Sequence, residues 1–116
     1  MIDDQAFAQT KARALHRRGS SSRMTRRRLS LAGIDRDTLD KAMAGLDEEL
    51  HADPQQREWQ AAAALARRRR LGPYRAAGER KEHRQHDLAT LARAGFDYDL
   101  ARRIVDAKDV DSLDEG

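Results

Sequence analysis

Arginine is the residue type in this chain best suited to chemistry with a partner. Of the 23 cationic Lys and Arg side chains in 116 residues, 19 are arginine. A guanidinium presents a planar fork of donors that grips phosphate or carboxylate at two points. The arginines fall into two groups. Arg13, Arg17, Arg18, Arg23, Arg26 and Arg27 surround Gly19-Ser20-Ser21-Ser22, and Arg67, Arg68, Arg69, Arg70, Arg75, Arg80, Lys81 and Arg84 surround Gly72-Pro73. The net charge is only +3, yet residues 13–28 carry seven arginines and no acid, while residues 106–116 carry five acids and one Lys. Such asymmetry points to a partner of opposite charge, or to a tail that masks the basic surface. The plainer alternative is a solvated helix face with cations at helix ends. Recurrence of the cluster at equivalent places favours contact with phosphates or an acidic protein surface.

Other reactive types are present without the company they need. Glu82, His83, His86 and Asp87 are close on one stretch, and a spacing of three can seat a metal. No second stretch offers ligands, since His16 and His51 stand alone, so this reads as an exposed polar face. The pairs Asp35-x-Asp37 and Asp97-x-Asp99 are explained by helix capping and the macrodipole. Neither Gly19-Ser20 nor Gly72-Pro73 matches a P-loop. There is no Cys, which excludes thiolate chemistry and disulfides. No enzyme, catalytic residue, metal, cofactor or small-molecule substrate is expected. Aromatics are 4% of the chain, too few for a stacking platform, and Trp59, Phe96 and Tyr98 are expected in the core.

The elements that carry the arginines are legible from two similar runs, Leu29 to Leu39 and Leu91 to Ala101, set 62 residues apart. Each reads as a helix end, Ala-Gly, a large apolar residue and an Asp that opens the next helix. The repetition suggests tandem modules. The first predicted helix, capped by Asp3 or Asp4, runs to about His16 with Phe7, Lys11, Ala14 and Leu15 on one face. The second runs from Arg23 to Ala32 behind Ser22, with Met24, Leu29, Leu31 and Ala32 inward, Arg23, Arg26 and Arg27 outward, and the Arg28 stem over the core. The third runs from Asp35 to about Leu46. Asp53-Pro54 with Gln56 is a capping box that opens the fourth, which ends at Arg70 before Leu71-Gly72-Pro73. The fifth spans about Glu79 to Ala94 with Leu88, Leu91 and Ala92 inward, and the sixth spans Asp97 to about Ala107. The fold expected is all-α: an elongated tandem repeat of two three-helix modules, residues 1–50 and 51–108, with an acidic, flexible tail at 109–116. No window alternates as a strand would, and no apolar run approaches the roughly 20 residues that span a bilayer. With no signal-peptide pattern at the start, a cytoplasmic protein without a membrane partner is expected.

These residues resemble a known family. Asp3-Asp4-x-x-Phe7-Ala8, Arg17-x-Gly19, the arginine helix and Leu29-x-x-x-Gly33-Ile34-Asp35 look like the middle repeat of the RecX regulatory proteins. Trp59 to Ala66, the Arg67–Arg70 run with Leu71-Gly72, and Leu91-x-x-x-Gly95-Phe96-Asp97-Tyr98 look like the repeat that follows it. The family is built from tandem three-helix repeats, usually three, and against that pattern the sequence is expected to lack a first repeat ahead of Met1. The resemblance implies a regulator that binds the RecA recombinase filament on single-stranded DNA, inhibits its ATPase and strand exchange, and so acts on DNA repair and recombination. It implies no catalytic residues. The alternatives are a helical nucleic-acid-binding module independent of RecA, and an interaction domain whose arginines only solvate it. A helix-turn-helix reader is disfavoured, because Asp35, Asp37 and Asp40, or Asp97 and Asp99, open the helix that would face phosphates.

Overall fold

The computed structural model describes residues 3–114. Seven α-helices follow one another: α1 (Asp4–Arg18), α2 (Ser22–Leu31), α3 (Arg36–Leu50), α4 (Pro54–Arg69), α5 (Arg84–Arg93), α6 (Tyr98–Val105) and α7 (Val110–Asp114). A single 3-10 turn, Gly72–Tyr74, separates α4 from α5, and no strand occurs among the described residues. Asp3, Ser21, Asp35, Asp53 and Asp97 each accept a backbone N–H from the first turn of the helix they open. This satisfies donors that a helix start otherwise leaves unpaired. Asp53 and Gln56 complete the capping box in both directions, at 2.8 Å each way. Ser21, one residue earlier than predicted, caps α2. The recurrent corners hold: Gly33 and Gly95 take φ of +93° and +99°, values that Gly alone adopts cheaply.

Two apolar cores result. Ala8, Ala12, Leu29, Ile34, Leu39, Ala42, Met43 and Leu46 form the first, from α1, α2 and α3. Trp59, Leu65, Leu71, Leu88, Leu91, Phe96, Leu100, Ile104 and Val105 dominate the second, built on α4, α5 and α6. The described chain measures 54 × 26 × 20 Å, an elongated body.

Four expectations about facing are overturned. The buried stripe of α1 is Ala8 and Ala12, both 0% exposed, while Phe7 is 44% exposed. Small residues let α1 approach α3 closely, and Gly45 on α3 is part of the same approach: a Cβ there would fall 2.4 Å from the Gln9 side-chain oxygen. On α2, Leu31 is 79% exposed and Ala32 is exposed; Thr25 and Leu29 face inward instead. Ala92 and Tyr98 are also exposed rather than core. The fifth helix starts at Arg84, because residues 77–83 are taken up by successive turns.

The end of the chain differs as well. Where a frayed acidic tail was expected, Val110–Asp114 form α7, and Leu113 is buried in the second core. The Leu113 carbonyl accepts from the Trp59 indole N–H at 2.7 Å. Glu115 and Gly116, the remainder of that predicted tail, lie outside the described residues.

The two cores meet along α1 and α4. The junction is partly polar. Arg57 of α4 donates to Asp47 at the end of α3 and to Ser22 Oγ at 3.1 Å, and Glu58 accepts from the Ser22 N–H at 2.9 Å. Arg57 Nε is buried with no partner. These bonds pin the starts of α2 and α4 to each other.

Candidate interaction surface

The geometry that matters most lies at the C-terminal ends of α1 and α4. Gly19, with φ +90°, caps α1 and turns the chain sharply there. A Cβ on Gly19 would lie 2.6 Å from Leu65 N and Cβ, so α1 ends against the backbone of α4. One turn on, Arg68 Nη1 donates to the Arg18 carbonyl at 3.0 Å. His16 faces Gln60 in the same register, and its pKa is lowered chiefly by burial, against the effect of Gln60. The last turns of α1 and α4 come together. Their negative dipole ends therefore lie together, and the last-turn cations Arg17, Arg18, Arg67, Arg68 and Arg69 complement both. The arginine groups of the two modules thus adjoin at this end.

The predicted residues divide by what else they touch. Arg17, Arg18, Arg23, Arg27, Arg67, Arg68, Arg69, Arg70 and Lys81 are exposed, and none of them has a carboxylate within ion-pair distance among the described residues. The Arg67–Arg70 run fans out: Arg67 lines a groove with Gln60, Ala63 and Tyr74, Arg68 touches α1, and Arg69 and Arg70 line a concave surface with Tyr74 and Arg75. The remaining five are engaged within the chain. Arg13 grips Glu49 through two bonds of 2.7 and 2.6 Å, and with Gln9 it pushes the Glu49 carboxyl down to about 2. Arg26 pairs with Asp40 at 2.7 Å. Arg84 forks onto Asp106 at 2.7 and 2.8 Å. Arg80 donates to the carbonyls of Val105, Ala107 and Lys108, closing the end of α6.

Arg75 serves the fold most directly. Its guanidinium forks onto Asp87 at 2.8 and 2.7 Å, and the Gly72 N–H donates to the same carboxylate at 2.9 Å. Asp87 is fully buried, not part of an exposed polar face as its neighbours suggested. Burial pushes this carboxyl up, but Arg75, Gly72 and His86 together hold it below the usual range. The segment from Leu71 to Arg75 is thereby fixed, and with it the direction in which Arg69 and Arg70 leave α4.

Sequence reasoning missed three residues of this region: Arg57, Asp87 and Arg103, whose guanidinium lies 4.9 Å from the centre of the Trp59 ring. Arg57 sits between Gln56 and Trp59 in the capped start of α4, and its burial needed the end of α3 to be placed. The signal for Asp87 was available, since it occupies the inward position of α5 one turn before Leu91. Among the described residues no group of three or more His, Cys, Asp or Glu is arranged to hold a metal, and no helix is long and apolar enough to cross a membrane.

The architecture is that of a helical repeat protein with an arginine-rich surface shared by its modules. A family profile described as RecX, second three-helix domain, matches residues 3–43. A relative from Myxococcus xanthus named Regulatory protein RecX is 37% identical over 108 residues, covering 92% of this chain and 54% of its own. Another of that name, from Agrobacterium fabrum, is 29% identical over 104 residues, covering 90% of this chain and 51% of its own. By both comparisons the chain is similar to the RecX regulatory protein family. It spans about half the length of these curated relatives. No solved structure matches it.

Proposed function

We propose that this chain is a non-enzymatic regulator that binds the RecA recombinase filament on single-stranded DNA and inhibits it, thereby restraining recombinational DNA repair. The observation that carries the reading is the bond from Arg68 to the Arg18 carbonyl. It makes the uncompensated cations of two modules into neighbours on one elongated body. A row of cations suits a long polyanionic or acidic partner better than a compact one, because weak contacts along it add. Arg17, Arg18, Arg67, Arg68, Arg69 and Arg70 are the residues assigned to that contact, together with the exposed Arg23 and Arg27 on α2. Arg13, Arg26, Arg75, Arg80 and Arg84 support the surface from within. The cytoplasm is where such a partner resides.

The test is to add the protein to pre-formed RecA filaments on single-stranded DNA and follow ATP hydrolysis. Hydrolysis should fall as protein is added, and more steeply at low salt. Unchanged hydrolysis over the whole range would remove the reading. Tight, salt-sensitive binding to bare single-stranded DNA with no effect of RecA would favour a nucleic-acid-binding module instead.

A further inference from the structure

The helix α7 has five residues, and Leu113 is its one buried side chain. Its attachment is correspondingly simple: Leu113 enters the second core, and the Leu113 carbonyl takes the Trp59 indole N–H. The chain just before it is fastened independently. Arg80 holds the carbonyls of Val105, Ala107 and Lys108, so the backbone is fastened up to Lys108. Asp109 uses its carboxylate to cap Ser112, at 2.8 Å to both the N–H and the hydroxyl. Among the described residues Asp111 and Asp114 have no such internal use. Asp114 and Leu113 line one groove of about 510 Å³ together with Trp59, Tyr74 and Arg67, the first member of the exposed arginine run. The Tyr74 hydroxyl feels both charges: burial and Asp114 push its pKa up while Arg67 draws it down. An acidic segment on a light fastening thus sits against one end of the basic surface.

We propose that α7 is an acidic strap that guards the Arg67 end of the basic surface and is displaced when a chain of phosphates engages that end. The inference rests on the basic surface assigned above and adds its regulation. Phosphates arriving at Arg67 enter the groove that Asp114 also lines, where like charges repel, and Leu113 then leaves the groove. Trp59 loses its carbonyl partner and meets water. Its fluorescence reports the event without ambiguity, because it is the only Trp in the chain.

Inorganic polyphosphate serves as the probe, being optically clear. Four proteins are titrated at low salt: the full chain, a chain ending at Lys108, the Asp111→Asn/Asp114→Asn variant, and an Asp4→Asn/Glu48→Gln control that removes equal charge elsewhere. The Asp111→Asn/Asp114→Asn variant, which loses the same charge as the control, should bind about fivefold more tightly than it, and the chain ending at Lys108, which loses four acids, at least as tightly. Trp59 emission of the full chain should shift to the red as polyphosphate binds, while the chain ending at Lys108 starts red-shifted and stays there. The charge variant keeps Leu113, so it decides the matter even where the shortened chain fails to fold. Equal affinities with unmoved emission would overturn the strap and leave the basic surface standing. Absence of binding by all four proteins would overturn both.

Discussion

Thr25 and Asp87 occupy the same place in the two modules and do the same work with different chemistry. They lie 62 residues apart, at matching positions of α2 and α5, which are each ten residues long and offset by that same interval. Both are buried polar side chains, and both reach back to the loop that precedes their helix. Thr25 faces a short loop and meets Ser20 Oγ at 3.4 Å, a weak contact. Asp87 faces the long segment between α4 and α5, and holds it with one backbone N–H and a forked Arg75. A short loop is fixed by its own geometry. A long one has more conformational freedom to lose, and a buried charge with several donors is the stronger tether.

The largest predicted effect breaks this comparison at its stronger member. Asp87→Asn should cost about 3 kcal/mol in urea unfolding, because Arg75 is left with an unpaired charge in a partly buried setting. Thr25→Val should cost about 1 kcal/mol or less. Equal losses would show that loop length does not set the need for a charged tether.

The Gly corners give the next contrast. Gly33 and Gly95 are alike in sequence and in φ, but a Cβ on Gly33 would meet nothing within 4 Å, whereas one on Gly95 would fall 2.3 Å from Ser21 Oγ and 3.1 Å from Met24 Cγ. Gly33→Ala should therefore cost about 1 kcal/mol for the left-handed conformation alone. Gly95→Ala should cost about 2–3 kcal/mol, since the start of α2 must also yield. Thermal unfolding of the pair separates the two components.

These contrasts mark what was readable in the sequence. Corners, caps and the repeat interval are local signals, and Asp35, Asp53 and Asp97 act where their neighbours said they would. Facing was less readable wherever close packing chose small residues, as with Ala8 and Ala12 over Phe7. The arginine clusters were visible as clusters, but spacing cannot say which members are already taken. Glu49, Asp40 and Asp106 lie 36, 14 and 22 residues from Arg13, Arg26 and Arg84, so those pairings exist only once the helices are stacked.

The Arg13–Glu49 pair is the exposed counterpart of Arg75–Asp87, and acid distinguishes them only through variants. Glu49 sits at about 2, below its ordinary 4.5, so its contribution to stability is present above 4.5 and is lost as pH falls towards 2. Unfolding midpoints of the native chain and of Glu49→Gln should therefore differ at neutral pH and converge at the acid end. The gap should be modest and shrink with salt, because both side chains are solvated. A gap that stays constant with pH would mean that Glu49 acts through packing rather than charge.

The smallest stability effect carries the sharpest functional contrast, between Arg68 and Arg80. Both guanidinium groups donate to backbone carbonyls, yet their settings differ. Arg80 is half-buried and satisfies three carbonyls at the end of α6, whereas Arg68 is exposed and satisfies one. Arg80→Ala should cost about 1–2 kcal/mol and leave inhibition per folded molecule unchanged, because its donors already point inward. Arg68→Ala should change stability by less than about 0.5 kcal/mol. It should nonetheless weaken inhibition of RecA-dependent ATP hydrolysis about threefold, with the loss largest at low salt, because an exposed cation contributes through its field and its encounter rate. Both readouts are needed together. An arginine that lowers inhibition only in proportion to lost stability belongs to the scaffold, and one that lowers inhibition with the melting temperature unmoved belongs to the surface. If Arg68 falls in the first group, adjacency of the two clusters is a packing consequence of α1 on α4, and the contact with the partner must be sought on α2, at Arg23 and Arg27.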